Sequence, residues 1–566
     1  MTSPLIKRGS LAALIGLLSA APAGMVRAQG PEVGSEAQRE AGKPLYVKYC
    51  SQCHGEKGDG EGYAAPHLRP RPRNFTTGKF KVRTTGSGAL PTHQDLVNII
   101  RRGMPYTSMP AWPNLSDEEV SNIAYYITTF SPDFSNPESV PKAVDLPRAP
   151  NSTKETIEAG KKLYEETGCV RCHGSLGRGD GPSAPTLKDD WEHPIRAANL
   201  AQRWTFRGGS SREDIFRTMS TGFNGTPMPS FSDGLTPEQR WAITDYIASL
   251  GDSQPGYANL VIARHVTTPI DVAKGAASFG VAPVAHFPIV GQIMEPGRSF
   301  HPPATSVAVQ AIYDADSIAV LVRWHDMSAE KSGKNGPSLP VPPEEEEEPA
   351  IGAAGESGGG KNPFGDQEVA APPAGQAKDP FAEAEPAAAP ASEFSDAVAV
   401  QIPSEVPASA RKPYFIFGDG QNSVDLWFFD LARPDPLQFT GKGSAAVAAN
   451  DKPEVTGAAS YDQGEWSVIF KRPLRPGSGA AFTPGQFMPI AFSVWDGFSR
   501  ERGSRRGLSL WYSLYVEPEN VPSAVGPMVR TALFILALEL VVIAWVRYST
   551  RRRDELGGRQ QPATSV

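Results

Sequence analysis

Cysteine is scarce in this 566-residue chain: there are four, Cys50, Cys53, Cys169 and Cys172. All four fall in CxxC pairs, so none is left for the disulfide framework that staples small exported domains. A basic surplus is also missing. Lysine and arginine number 55 against 62 aspartates and glutamates, giving net charge -7 and a pI near 5.8. That balance excludes the strongly cationic face of a nucleic-acid binder. No Ser-His-Asp, metal-hydrolase or nucleotide-binding signature stands out, and long apolar runs are confined to the two ends. Glycine (55) and proline (54) are plentiful, so long loops and at least one disordered stretch are expected. The length is too great for one core and suggests three or four domains.

Each cysteine pair is followed at once by a histidine, in CSQCH from Cys50 to His54 and CVRCH from Cys169 to His173. CxxCH is the attachment signature of c-type haem. A four-thiolate zinc site is the competing reading. The gap of roughly 120 residues, against about 15–20 in zinc ribbons, and the two histidines count against it.

The surroundings of the two motifs repeat. Gly42, Lys43, Leu45 and Tyr46 correspond to Gly160, Lys161, Leu163 and Tyr164, and a GDG turn follows each motif, at Gly58 and at Gly179. Asp95 and Gly103 recur as Asp214 and Gly222, and both His54 to Met109 and His173 to Met228 span 55 residues. Ser116 with Glu119, and Thr236 with Gln239, then give capping-box signals for a closing helix. The chemistry needs these residue types. Two thiols add across the porphyrin vinyl groups, which places the adjacent histidine under the iron. A thioether can close the sixth position, and His/Met ligation raises the reduction potential. The expected covalent attachments are Cys50, Cys53, Cys169 and Cys172, with axial pairs His54/Met109 and His173/Met228. Met104 competes with Met109, and Met219 with Met228; the repeat favours the later residue of each. His67, His93 and His193 are further candidate ligands, more readily read as loop histidines. Arg83 and Arg207 are candidates for pairing with haem carboxylates.

These units resemble the class I cytochrome c family over 36–135 and 155–252. The resemblance implies two small all-α domains that carry two covalently bound haem c groups and pass single electrons through exposed haem edges.

The ends read as targeting segments. Lys7 and Arg8, the apolar run Leu11 to Ala21 and Val26-Arg27-Ala28 make residues 1–28 an expected export signal peptide. TALFILALELVVIAWV, from Thr531 to Val546, spans about 24 Å as helix, and its flanks extend it toward a roughly 30 Å hydrocarbon core. Arg551 to Arg553 follow, so the positive-inside rule gives a single-pass anchor at 527–548 in the cytoplasmic membrane, a cytoplasmic tail at 549–566 and the body in the periplasm. Glu539, inside that run, suggests a transmembrane partner helix.

Beyond about 256 the pattern alternates with period two. VAVQAIY and IAVLVRW, around Asp314 to Ser317, read as a hairpin. AVAVQI, VDLWFF, WSVIF, PIAFSVW and LSLWYSLYV are further strands, and an antiparallel β-sandwich domain is expected. An acidic Pro/Glu/Ala-rich insert at 335–392 should be disordered. AIYDADSIAVLVRWHD, PYFIFGDGQNSVDLWFF, WSVIFKRPL and PIAFSVWDGFSRERGSRRGLSLWYSL resemble the haem-binding γ-subunit family of ethylbenzene dehydrogenase, over 258–518. That resemblance implies a haem b held between methionine and lysine, and electron relay from a molybdoenzyme. The chain departs from it: Tyr414 to Gly418 carries no methionine, and Arg505-Arg506-Gly507 offers no lysine. Met327, Met488, Lys412 and Lys471 remain as candidates.

The expected function is a membrane-anchored dihaem cytochrome c that relays electrons between a larger redox enzyme and a small cytochrome c or respiratory-chain partner, without catalysis of its own. The alternatives are a subunit of a quinol-oxidising cytochrome complex, a dihaem peroxidase, and a binding or assembly protein.

Overall fold

The structure, a computed structural model, describes residues 32–341, 393–406, 412–519 and 525–557. The expected export signal, most of the acidic insert and the end of the tail lie outside the described residues. By packing, the chain forms two units. The first holds residues up to Cys169 with Leu187–Arg196 and Leu200–Ser253, and the second holds Val170–Thr186, Ala197–Asn199 and the chain from Gln254.

The helical part repeats one order of elements. Helices α1 (Glu36–Tyr49), α2 (Ser51–His54), α3 (His93–Arg102) and α4 (Asp117–Ile127) are followed by α5 (Lys154–Glu166), α6 (Val170–His173), α7 (Arg212–Thr221) and α8 (Pro237–Ser249). Side-chain caps start the longer ones. Ser116 and Thr236 accept from the backbone of Glu119 and Gln239, whose side chains return the bond, and Ser35, Thr92 and Thr153 cap in the same way. Such caps satisfy backbone donors that the first helical turn leaves open.

The repeated glycines set how closely helices cross. A Cβ on Gly42 would lie 2.0 Å from the Asn122 carbonyl oxygen, and one on Gly160 would lie 1.9 Å from that of Ala242. Thus α1 meets α4, and α5 meets α8, with backbone nearly touching backbone. Tyr46 and Tyr164, one turn further on, are fully buried. Replacing either glycine with alanine should destabilise the fold by about 1–3 kcal/mol, the usual overpacking cost. Denaturant unfolding checks this, and an unchanged midpoint would contradict the close crossing.

Packing does not divide the helical part between residues 135 and 155, where two separate domains were expected. The loops of the two repeats interlock instead. The Gly88 amide donates to Asn224 Oδ1 at 3.0 Å, Lys79 pairs with Asp190, and Arg102 Nη2 donates to the Arg207 carbonyl at 2.8 Å. The helix carrying the second CxxCH, α6, groups with the second unit.

That unit contains a fourteen-stranded sheet. The hairpin Ser306–Tyr313/Ser317–His325 forms as the alternation predicts, with Tyr313 opposite Ile318 and Asp314 Oδ1 accepting from the Asp316 and Ser317 amides. The sheet is mixed, not purely antiparallel: Leu260–His265 runs parallel to both Ser306–Tyr313 and Tyr512–Val516. The segment read as one strand, 508–516, is two: Gly507–Leu508 and Tyr512–Val516. Between them the Ser509 hydroxyl accepts from the Phe492 amide, and Trp511 Nε1 donates to the Pro413 carbonyl. Val309, Val322, Val400, Trp427, Phe470 and Phe492 meet in one apolar core. The expected disordered insert begins too early at 335. Asn335 is buried, and its amide group donates to the Ser395 and Glu501 carbonyls at 2.7 and 2.9 Å, so the chain is held through this point.

Helix α9 (Val525–Gly557) runs beyond the expected 527–548. Within its span Val525–Arg553 an 18-residue window has a mean hydropathy of 2.2, and the helix is long and apolar enough to cross a membrane. Leu533, Phe534, Leu538, Val542 and Trp545 are exposed along it. Apolar residues on every side suit a lipid surrounding better than water.

Candidate functional site

Helix α1 ends at Tyr49, and Cys50 leads directly into α2, which carries Cys53 and His54. Gly55 then reverses the chain at φ +75, where a Cβ would lie 2.2 Å from Asp59 Oδ1; Gly174 does the same at φ +76, 1.9 Å from Asp180 Oδ1. Only glycine adopts that conformation without strain. The loop folds back onto the motif. Gly60 and Gly62 donate to the His54 and Cys53 carbonyls at 2.9 and 3.2 Å, and Gly179 and Gly181 donate to those of His173 and Cys172 at 2.8 and 3.2 Å. This register corrects the sequence alignment of the turn. Gly58-Asp59-Gly60 matches Gly177-Arg178-Gly179, two residues earlier than the GDG identity implied.

Both histidines are oriented alike. His54 Nδ1 lies 3.0 Å from the Arg73 carbonyl oxygen, and His173 Nδ1 lies 2.9 Å from that of Ala198. A carbonyl only accepts, so Nδ1 carries the proton and Nε2 keeps its lone pair. Hydrogen bonding of one ring nitrogen commonly fixes the other as a metal ligand. Burial lowers the pKa of both imidazoles, which holds them neutral, and His54 also stacks on Phe75 at 4.5 Å between ring centroids. Burial, and secondarily the Cys53 thiol, pushes the Cys50 thiol up to about 12; burial also raises Cys53 and Cys169. Neutral imidazoles with a free Nε2, each one residue from a CxxC pair on one helical turn, form a donor set that fits covalently held haem.

The sequence could have flagged the two carbonyls that hold the histidines. Arg73-Asn74 and Ala198-Asn199 recur 19 and 25 residues after their histidines, each carbonyl that holds a histidine standing just before an asparagine.

The methionine loops also match. Gly103 and Gly222, at φ +67 and +63, end α3 and α7. The Met104 amide then donates to the Met109 carbonyl at 3.0 Å, and the Phe223 amide to that of Met228 at 3.1 Å. Thr107 and Thr226 hydroxyls accept from the Met109 and Met228 amides at 3.2 and 3.3 Å. Met104 therefore has phenylalanine as its counterpart. Met219 has Ile100, since Phe231 donates to the Met219 carbonyl as Trp112 does to that of Ile100. Met219 is buried in the core, with the Thr244 hydroxyl 3.8 Å from its sulfur, whereas Met109 and Met228 are half-buried.

Other candidates take structural roles. His93 stacks on Tyr125, and its Nε2 lies 2.9 Å from the Ser121 hydroxyl. Arg83 is 3% exposed and spends its guanidinium on carbonyls: Thr221 at 2.7 Å, Gly222 at 3.3 Å and Gly86 at 3.1 Å among them. It closes the C-terminal end of α7, where orphan carbonyls and the helix dipole favour a cation. Arg83→Gln should cost about 2–3 kcal/mol by leaving buried carbonyls unmatched, read by thermal unfolding of the haem-region signal; a wild-type melt would contradict this role. In the sheet unit, Met327 and Met488 are buried and Lys412 is exposed, while Lys471 Nζ donates to the Ile270 carbonyl at 2.6 Å. Buried Arg506 stacks 3.9 Å over the Phe417 ring.

Residues 157–251 match the cytochrome c family, and residues 37–127 match the family described as cytochrome c oxidase, cbb3-type, subunit III. Similar proteins include a respiratory nitrate reductase heme subunit, ORF7, of Haloferax mediterranei. It is 29% identical over 24% of this chain and 49% of its own length. The cbb3-type cytochrome c oxidase subunit CcoP of Helicobacter pylori is 26% identical over 39% of this chain and 62% of its own. The chain thus spans less than two thirds of either relative. A solved structure, the reducing HAO-like protein complex of Kuenenia stuttgartiensis, includes a chain 43% identical over 38% of this one and 96% of that one, with a TM-score of 0.37. Cytochrome c domains carry covalently bound haem c, and with such domains spanning both CxxCH repeats, this chain is a multihaem cytochrome c.

Proposed function

We propose that this chain is a membrane-anchored electron-transfer subunit with two haem c groups. Cys50 and Cys53 attach one haem, Cys169 and Cys172 the other, and His54/Met109 and His173/Met228 ligate the two irons. The observation that carries this reading is the duplicated geometry: each histidine has its Nδ1 bonded to a backbone carbonyl, and each methionine sits in the same hydrogen-bonded loop. His/Met irons with both axial positions filled exchange electrons without binding substrate, which disfavours a peroxidase. The relatives named as subunits of respiratory enzymes support a place between a larger redox enzyme, of molybdoenzyme type, and a cytochrome or respiratory-chain acceptor. Helix α9 would anchor the chain, with the body in the periplasm and the arginine-flanked end in the cytoplasm. The sheet unit is then the docking module toward the larger enzyme, with the order of the γ-subunit-like segments as its support. It need not hold a haem b, because Arg506 cannot ligate and Lys471 is already bonded.

A second reading, a haem subunit of a terminal cytochrome complex, is favoured by the cbb3-type match of residues 37–127. Stopped-flow oxidation of the dithionite-reduced full chain by mitochondrial cytochrome c tests the shared core of both readings. Fast one-electron transfer from each haem is expected. Reoxidation only by hydrogen peroxide, with turnover of an added donor, would overturn it. Co-purification from native membranes then separates the two partners.

A further inference from the structure

The last strand of the sheet hands the chain to helix α9 at a point that the sheet itself holds down. Strand Tyr512–Val516 pairs parallel with Leu260–His265 and antiparallel with Phe487–Trp495. Just past it, the Glu517 amide donates to the Ala263 carbonyl at 3.1 Å. The Tyr313 hydroxyl donates to the Glu517 carbonyl, and Arg264 pairs with the Glu517 carboxylate. His265 Nε2 then lies 3.2 Å from Glu519 Oε1. The exit is therefore fixed to one end of the sheet as far as Glu519. Six residue steps separate Glu519 from Val525, where α9 begins. Even fully extended they reach at most about 22 Å.

The far end of the sheet lies beyond that reach. Strand Phe487–Trp495 has nine residues, a rise of about 30 Å. Turning its Trp495 end to a bilayer that holds α9 would lift Glu519 further away than the chain can span. The near end also has the surface that suits lipid. The turn at 483–486 is exposed, and its Gly485 amide donates to the Val516 carbonyl at 2.7 Å. Neither this turn nor the exposed segment 267–269, which follows the neighbouring strand, carries a charge. The two acids of the exit are met by Arg264 and His265. Phe487 is 59% exposed here, its ring centroid 4.8 Å from that of its cross-strand neighbour Tyr515. One exposed phenylalanine is ordinary on a protein surface. One held within a short tether of a membrane helix, beside a tyrosine and uncharged turns, matches the aromatic residues that line membrane interfaces.

We infer that this end of the sheet unit rests on the lipid surface, with Phe487 and Tyr515 at the level of the phospholipid headgroups. This rests on the membrane-anchor reading above. The tether selects lipid as the occupant, because it keeps this end beside the bilayer whatever else binds the chain. The opposite end then faces away from the membrane. There Val290–Gly291 pairs with Gly507–Leu508, which pairs with Ser493 and Val494, and Met294 just beyond is 64% exposed.

The test is the rate at which a charged, membrane-impermeant maleimide labels an introduced thiol on the full chain in phosphatidylcholine nanodiscs. The native cysteines are taken up by haem, so Phe487→Cys and Met294→Cys each offer one thiol, and the wild-type chain gives the blank. The two sites are similarly exposed, so a surface free of lipid gives similar rates. Phe487→Cys should instead label about tenfold more slowly, as expected for a group held in the interface. Gln486→Cys, on the same turn with the phenylalanine intact, should be protected too. Inserting about twenty glycine and serine residues after Glu519, a flexible linker of several times the contour length, should bring both rates up to that of Met294→Cys. Labelling of both turn variants as fast as Met294→Cys in the unextended chain overturns the inference. So does protection that persists with the spacer, since protein would then cover the site. A chain that washes from native membranes with alkaline carbonate would defeat the anchor reading itself, and the inference with it.

Discussion

Met109→Leu should abolish half of the near-infrared sulfur-to-iron absorption and leave the other half intact. Met228→Leu should remove the complementary half, and the double variant all of it. The potential of the affected haem should fall by on the order of 0.1 V or more, because axial ligand identity is among the strongest determinants of haem potential. The argument turns on the loop. Met104 and Phe223 occupy equivalent positions and make the same amide contact to the carbonyl of the later methionine, so that position does not need a thioether. Met104→Leu should therefore leave the band unchanged. A band that survives in Met109→Leu and disappears in Met104→Leu would reverse the assignment of the first sixth ligand. Met219 needs no such control in the second repeat, since its counterpart is Ile100, a core residue.

The second large effect concerns attachment. Replacing Cys169 and Cys172 together with alanine should halve the haem that stays with the polypeptide in denaturing mass spectrometry, and Cys50/Cys53 should give the complementary loss. A single cysteine variant keeps one thioether and should keep its haem bound. The helical geometry supports the expectation. Cys53 and His54 share the one turn of α2, and Cys50 is its N-terminal neighbour, so residues three and four apart put both sulfurs and the imidazole on a common face. Unchanged covalent haem in either double variant would contradict attachment at that pair.

The repeat was legible because its chemistry leaves fixed residue types at fixed intervals. The capping signals at Ser116 and Thr236 form as read, and the equal 55-residue spacing puts Met109 and Met228 in loops with the same backbone bond. The GDG identity misled by two residues. Alternate positions in that loop are all glycine, so the match could slide, and only the backbone bonds of Gly60 and Gly179 fix the register. In the strand region, alternation marked the Ser306–His325 hairpin but could not reveal direction. A buried strand alternates in the same way whether its neighbours run parallel or antiparallel. Leu260–His265 therefore gave no warning of its two parallel partners. The edge strand Thr456–Asp462 is largely exposed and built of small residues, so it had no pattern to detect. Arg83 was legible as a residue but not as a contact: its partners, Thr221 and Gly222, lie 138 and 139 positions away.

Electron relay through this chain depends on porphyrin iron bonded to the polypeptide at both repeats. A pyridine haemochrome spectrum of the purified full-length protein, set against quantitative amino-acid analysis, counts that iron directly and separates thioether-linked from free vinyl haem. The account predicts two c-type haems per chain. A value near one, or a spectrum of the b type alone, would contradict it.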